Sequence, residues 1–162
     1  MFLYTNNPWF LYFKFIFIIN NLYKLYKMYK YDIKNDEWED TNRPMQETRS
    51  YHSCLLLNKQ ILAAGGFGTK TTEIFSLQSN MWRSGPDLPR KIYSFQLVKA
   101  RPSSQYAAFL IGGGYYDEVY SDIYGLTKDL NSFIKLGDLK TSRFSHVAME
   151  LPDKVIEKCV DF

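Results

Sequence analysis

Short apolar runs separated by turn-forming residues recur along the chain, and runs of this kind predict β-strands. The first complete set of runs covers Tyr51–Leu57, Ile61–Ala64, Glu73–Leu77 and Met81–Ser84. Asn58-Lys59 predicts a tight link between the first two strands, Gly65-Gly66 opens a loop, and residues 78–80 turn the third strand into the fourth. The pattern therefore predicts a four-stranded antiparallel meander.

The same landmarks return in the same order, which indicates an internal repeat. An aromatic residue is followed by a second large ring and then by Met or Leu, in the sets Tyr31/Trp38/Met45, Phe75/Trp82/Leu88 and Tyr124/Phe133/Leu139. An Arg precedes His or Tyr by three positions, in the pairs Arg49/His52, Arg90/Tyr93 and Arg143/His146. An apolar run leads into glycines at Ile61–Gly66 and again at Phe109–Gly114.

This combination of Arg and His, an apolar strand, paired glycines and a Trp resembles the Kelch repeat, and the resemblance covers residues 31–151. It implies an all-β fold, a Kelch-type β-propeller whose four-stranded blades lie around a channel. The residues divide into a partial blade at 31–45, full blades at 46–88 and 89–139, an inner strand at 140–151 and a tail at 152–162. We expect at most three blades, a partial propeller with open blade faces and a fragment of a longer protein; self-association through those faces is the alternative.

Residues 1–30 differ from the rest, because they contain no Asp, Glu, Gly or Ala. Lys14 interrupts their apolar stretch, which is too short for a membrane span, and no small-residue cleavage site follows it. A shift of one repeat length makes Phe15–Asn21 a candidate degenerate second strand, with Phe144–Leu151 as the missing inner strand of the same blade. Non-native sequence and a secreted protein stay open as alternatives.

Composition and charge argue for a β-rich fold and against several kinds of partner. Aromatic residues make up 17% of the chain, which favours strands. The net charge is only +3 and the basic residues form no run, so no nucleic-acid partner is expected. Cys54 and Cys159 lie outside any metal-binding spacing and indicate no disulfide framework. We expect a cytoplasmic protein with no membrane partner.

The candidate chemical motifs favour structural roles. The glycines at 112–114 lack the Lys-Ser/Thr of a phosphate-binding loop, and His52 and His146 occupy one slot of the repeat, which indicates packing rather than metal binding. Six carboxylates fall in predicted turns and strand ends and are expected to be solvated: Glu37, Glu39, Asp40, Asp117, Glu118 and Asp122. We therefore predict a protein that is not an enzyme and has no cofactor or metal. The alternative is a Kelch-bladed oxidase or isomerase.

Residues that recur in every unit are predicted to build the scaffold. They are Gly65, Gly66, Gly112, Gly113, Trp38, Trp82, Arg49, Arg90 and Arg143. The resemblance implies that these arginines make buried hydrogen bonds to adjacent blades.

Residues that vary from unit to unit, after the arginines and the glycines, are predicted to contact a partner. They are Tyr51, Phe67, Lys70, Lys91, Ile92, Tyr115, Tyr116, Asp117 and Phe144. Similar Kelch domains present such loops to a protein or peptide, as substrate receptors of cullin-RING ubiquitin ligases or as actin-binding modules. The resemblance therefore implies a protein-interaction module.

Overall fold

The computed structural model describes the backbone of residues 13–16 and the whole of residues 27–151, and this part of the protein is all-β. Three antiparallel sheets account for most of it. The first sheet contains β1 (Phe13–Ile16), β2 (Tyr29–Asp32) and β3 (Glu37–Asp40). The second contains β4 (Ser53–Leu57), β5 (Gln60–Ala64), β6 (Thr72–Ser76) and β7 (Met81–Ser84), in that spatial order.

The third sheet repeats the meander of the second. Its strands are β8 (Gln96–Lys99), β9 (Tyr106–Ile111), β12 (Asp122–Thr127) and β13 (Phe133–Asp138), and a small hairpin of β10 (Gly114–Tyr115) and β11 (Glu118–Val119) interrupts them. The predicted meander over residues 51–84 is confirmed, with each strand starting and ending within two residues of its predicted bounds. Asn58 and Lys59 form the two-residue link, both with positive φ (45° and 63°), the backbone required by the tightest hairpin turns.

The sheets pack face to face. Neighbouring residues on a strand point to opposite faces, so the apolar strand β5 contributes side chains to two cores. Leu62 and Ala64 of β5 lie in one core with Ala108 and Leu110 of the third sheet. Ile61, on the other face of β5, packs with Met28, which precedes β2. The order in space is therefore first sheet, second sheet, third sheet. The second sheet is covered on both faces.

The strand register defines which residues are equivalent between sheets. Tyr31 lies opposite Trp38, Phe75 opposite Trp82, and Leu126 opposite Phe133. The first two pairs bring their ring centroids to 4.9 and 5.2 Å. The prediction that Tyr124 takes the place of Phe75 is wrong, since Leu126 holds it. The loops of the third sheet are longer, so spacing along the sequence did not show this shift of two residues.

The segments that lead into the inner strands show a second set of equivalences. Gly66 N–H donates to the carbonyl of Ile92 (3.0 Å), as Gly113 N–H does to that of Arg143 (2.8 Å). The backbone also has positive φ at Tyr51 (55°), Ser94 (53°) and Ser145 (51°). Residues 49–52, 92–95 and 143–146 are therefore three copies of one segment, which we call the lead-in segment. Arg90 and Tyr93 were predicted to match Arg49 and His52, but Ile92 and Phe95 hold those positions.

Two predicted strands near the chain ends differ from expectation. The predicted strand Phe15–Asn21 overlaps β1 only at Phe15 and Ile16, and residues 17–21 lie outside the described residues. Residues 144–151 form no strand in the structure. A strand needs a neighbour to satisfy its backbone hydrogen-bonding groups, and within the described residues no strand lies beside this segment to pair with it.

Candidate functional site

Five aromatic side chains converge at one end of the second and third sheets. They come from the lead-in segments and from the loops that follow the glycine pairs, and we call them the rim cluster: Tyr51, Phe67, Tyr93, Tyr115 and Tyr116. Inner strands begin and second strands end at the same edge of an antiparallel meander, which is why segments distant in sequence meet here. Four of the five were predicted as partner-contacting residues, whereas Tyr93 was interpreted as a scaffold position.

Phe67 lies at the centre of the rim cluster. Its ring centroid is 5.6 Å from that of Tyr93, 6.4 Å from Tyr115 and 5.7 Å from Tyr116. Tyr115 and Tyr116 meet edge to face at 4.6 Å, and Tyr51 meets Tyr93 at 6.0 Å. These distances and tilted orientations are the ones that aromatic pairs prefer, so the rings support one another.

Backbone hydrogen bonds hold the loops of the rim cluster in place. Phe67 N–H donates to the Ser50 carbonyl (2.9 Å), and Tyr93 and Gly114 exchange two bonds of 3.0 and 3.1 Å. Ser94 N–H donates to the Tyr51 carbonyl at 3.0 Å. The cluster is therefore mounted on the two sheets by regular backbone bonds.

Much of the rim cluster faces solvent. Tyr116 is 66% exposed, Phe67 38% and Tyr51 37%. Partial burial, followed by the hydrogen bond and charge of Tyr116, raises the pKa of Tyr115. The cluster offers large apolar rings with hydroxyl groups at their edges, a composition suited to binding.

The remaining residues predicted to contact a partner divide into two groups. Lys91, Asp117 and Phe144 are exposed, Phe144 to 54%. Lys70 is exposed but pairs with Asp87 at 3.1 Å. Ile92 is only 2% exposed, so the prediction that it contacts a partner is wrong. It fills the core beside Gly113, because it holds the place of Arg49 in the lead-in segment.

The glycine pairs allow the close approach of neighbouring segments. At Gly65, with φ of 59°, a Cβ would lie 2.9 Å from the ring of Phe95, and at Gly112 it would lie 2.9 Å from the ring of His146. Phe95 and His146, the last side chains of two lead-in segments, therefore pack on the first glycine of the sheet before them. This contact accounts for His146 as a packing residue, in line with the sequence interpretation.

The three arginines predicted as scaffold differ in their surroundings. Arg49 is buried, and its guanidinium donates to the carbonyls of Gly65 (3.1 Å) and Thr71 (2.8 Å) and to the Glu73 carboxylate (3.0 Å). These partners belong to its own sheet, so the expected bonds to an adjacent blade are not found. Glu47 also accepts a hydrogen bond from Thr71 beside this network.

Arg90 and Arg143 are exposed, unlike Arg49. Arg90 lies 3.4 Å from the Asp122 carboxylate and 4.6 Å from the centre of the Tyr120 ring. Asp122 is buried and also pairs with Lys135 at 2.8 Å, which corrects the expectation that this carboxylate is solvated.

Trp38 is 47% exposed, whereas Trp82 is half-buried and donates from Nε1 to the Arg43 carbonyl at 2.9 Å.

Burial raises the pKa of the Cys54 thiol to about 12, within the inner strand β4 where it was predicted to lie. Among residues 13–16 and 27–151, no three His, Cys, Asp or Glu side chains gather in a way that suits a metal ion. The same residues contain no helix of the length and apolarity that a membrane crossing requires.

Comparison of the chain with protein-family models found no match, and comparison with curated proteins found none either. The functional interpretation therefore depends on the repeat and on the geometry of the rim cluster.

Proposed function

We propose that the chain is a Kelch-type partial β-propeller that binds a protein or peptide partner through the rim cluster. Two successive four-stranded meanders, each with a glycine pair after its second strand, support the Kelch interpretation. The observation that carries the binding role is the convergence of five aromatic rings from separate loops on one exposed patch.

The chemistry of the rim cluster favours a polypeptide partner. Tyr and Trp are enriched at the centres of protein interfaces, because they bury large areas at a low cost in side-chain entropy. Packing between Phe67 and its three ring neighbours reduces their freedom before binding, which lowers the entropic cost of association. Hydroxyl groups at the ring edges add hydrogen bonds to a peptide backbone.

A peptide-display experiment tests this function. A phage library of random 12-residue peptides is selected on the full 162-residue chain, and the selected peptides are then measured against the double variant Y115A/Y116A. We expect at least a tenfold loss of affinity, since central aromatic residues contribute about 2 kcal/mol or more each to an interface.

The matched control is Met81→Ala, because Met81 is 64% exposed on β7, away from the rim cluster. Selected peptides should bind M81A as they bind the wild type. Equal binding to wild type and Y115A/Y116A would refute the site, and failure to select any peptide that binds the folded chain would refute the function.

A further inference from the structure

A cavity of about 300 Å³ is bounded by the second and third sheets, at the opposite end of the strands from the rim cluster. Tyr51 precedes β4, whereas Leu57, the last residue of β4, lines the cavity. Tyr106, the first residue of β9, and Lys128, which follows β12, line it as well. The cavity is therefore built from the hairpin ends of the two sheets and shares no residue with the rim cluster.

Three positively charged side chains line this cavity, which we call the basic cavity: Lys99 at the end of β8, Arg101 in the following loop, and Lys128. Among the described residues that line it, none is Asp or Glu. Like charges that share a site repel one another unless an anion lies among them. The charge distribution of the basic cavity therefore favours an anionic ligand.

The three cations differ in their partners. Arg101 lies 3.5 Å from the Glu150 carboxylate. Lys128 donates from Nζ to the Pro102 carbonyl (3.1 Å), which uses one of the three donors of its ammonium group. Within residues 27–151 no carboxylate forms an ion pair with Lys99 or Lys128. Two of the three charges are therefore not neutralised by this part of the chain.

Hydrogen bonds fix the loop that carries Arg101 between β8 and β9. Ala100 N–H donates to the Ala107 carbonyl (3.0 Å), and Ser104 N–H donates to the Arg101 carbonyl (2.9 Å). The Ser104 hydroxyl oxygen accepts a bond from Tyr106 N–H (3.1 Å). The loop backbone is thus arranged before a ligand arrives, which lowers the entropic cost of binding.

Apolar groups form the rest of the wall of the basic cavity, among them Leu57, Ala107 and the ring of Tyr106. This ring packs on Gly125, where a Cβ would lie 2.6 Å from Cδ1 of Tyr106, and its centroid lies 6.0 Å from that of Phe109. A volume of about 300 Å³ is at the small end of the range of ligand pockets, roughly 300–1,000 Å³. The cavity therefore suits a small group with a charged head and an apolar body.

We propose that the basic cavity binds a phosphate monoester, with the phosphate among Lys99, Arg101 and Lys128 and the organic part against Leu57 and Tyr106. A phosphate monoester carries about −1.5 to −2 charges at pH 7 and three strong acceptor oxygens. Lys and Arg bind such groups through short, charge-assisted hydrogen bonds. Three cations match this charge and this number of acceptors better than they match a carboxylate. The ester is a free small molecule or a phosphorylated side chain, and the test separates these two sources.

Titration of phenyl phosphate into the full chain labelled with ¹⁵N, followed by backbone amide chemical shifts, tests the site. We expect a dissociation constant of about 1 mM or below, with the largest shifts at residues 99–107 and 128. Benzoate, which has the same ring and a single charge, should bind about tenfold more weakly. A phosphoserine heptapeptide that binds more tightly than phenyl phosphate identifies a phosphorylated protein as the source, and one that binds more weakly identifies a small ester. Absence of binding by both phosphates, or equal binding of benzoate and phenyl phosphate, would overturn the proposal.

Charge removal locates the bound phosphate. K99Q/K128Q should weaken phenyl phosphate binding about tenfold or more. The matched control K34Q/K140Q removes the same charge from two exposed lysines that do not line the cavity, and it should bind as the wild type does. K99Q alone keeps the bond between Lys128 and Pro102 and should weaken binding by about threefold or more, so the test stands even if the double variant unfolds. Unchanged affinity in K99Q and in K99Q/K128Q would show that the phosphate binds elsewhere.

Discussion

The guanidinium of Arg49 lies 3.0 Å from the carboxylate of Glu73, and both side chains are almost completely buried. Glu73 also accepts hydrogen bonds from the backbone N–H groups of Gln46 (2.7 Å) and Glu47 (3.1 Å). The pair therefore connects the segment that leads into β4 with β6. Through Glu73 it also holds the backbone of residues 46 and 47. It holds the lead-in segment that carries Tyr51 of the rim cluster.

Arg49→Met is expected to destabilise the fold by about 3–5 kcal/mol, because it leaves the Glu73 carboxylate buried without its cation. Urea unfolding followed by circular dichroism measures the free energy of unfolding. Adding Glu73→Gln to the variant should recover part of the loss. Arg83→Met, on an exposed arginine of β7, is the control and should change stability by less than about 0.5 kcal/mol. An equally small effect of R49M would contradict the role given to the pair.

Gly65→Val is expected to cost about 3 kcal/mol or more. A Cβ there would lie 2.7 Å from Cδ1 of Leu88 and 2.8 Å from the carbonyl oxygen of Ile92, on a backbone with φ of 59°; both the overpacking and the left-handed backbone are costly for a branched side chain. Gly137→Val is the matched control on β13, because a Cβ there meets no atom within 4 Å. Thermal unfolding of G65V at the wild-type temperature would refute the packing described here.

His52 is expected to make stability depend on pH. Burial, and then the positive charge of Arg49, lower its pKa from the usual 6.5 to about 4. As the pH falls below 6.5 the unfolded chain takes up the proton first, so stability is lost between pH 6.5 and 4, by up to about 3 kcal/mol. Above pH 6.5 the imidazole is neutral in both states and contributes no pH dependence.

His52→Phe tests this dependence, since Phe95 holds the same position in the next lead-in segment. The free energy of unfolding is measured from pH 7 to pH 4 for both proteins, so that the titration of carboxylates cancels in the difference. The wild type should lose more stability than H52F over this interval. Parallel curves would show that His52 titrates alike in the folded and unfolded chains.

Most of the strand architecture follows from local pattern. The runs at residues 51–57, 61–64, 73–77 and 81–84 have strand length, and the turns between them contain residues that tolerate positive φ, such as Asn58. Trp38, Trp82 and Phe133 were aligned correctly, since each lies opposite the equivalent residue of the neighbouring strand, Tyr31, Phe75 and Leu126. The loops after the glycines carry the exposed rings of Phe67 and Tyr116.

The sequence pattern gave the wrong alignment of the repeats where loop length changes between them. Arg90 resembles Arg49 in sequence, but two additional residues precede β8, so Ile92 takes the structural place of Arg49 and is buried. Tyr93 was consequently interpreted as a scaffold position, although it joins the rim cluster between Tyr51 and Phe67. The hydrogen bonds of Gly66 and Gly113 with the lead-in segments, together with the positive φ at Tyr51, Ser94 and Ser145, reveal the true alignment.

The sequence by itself determined that the chain forms short antiparallel strands in a repeating order, because strand length, alternation and turn chemistry are local properties. Only the tertiary structure decided which residues meet: it buried Arg49 against Glu73, gathered five rings at one rim, and placed Ile92 rather than an arginine in the core of the second lead-in segment. These relationships depend on the register and stacking of sheets, which are set by contacts between residues far apart in the chain.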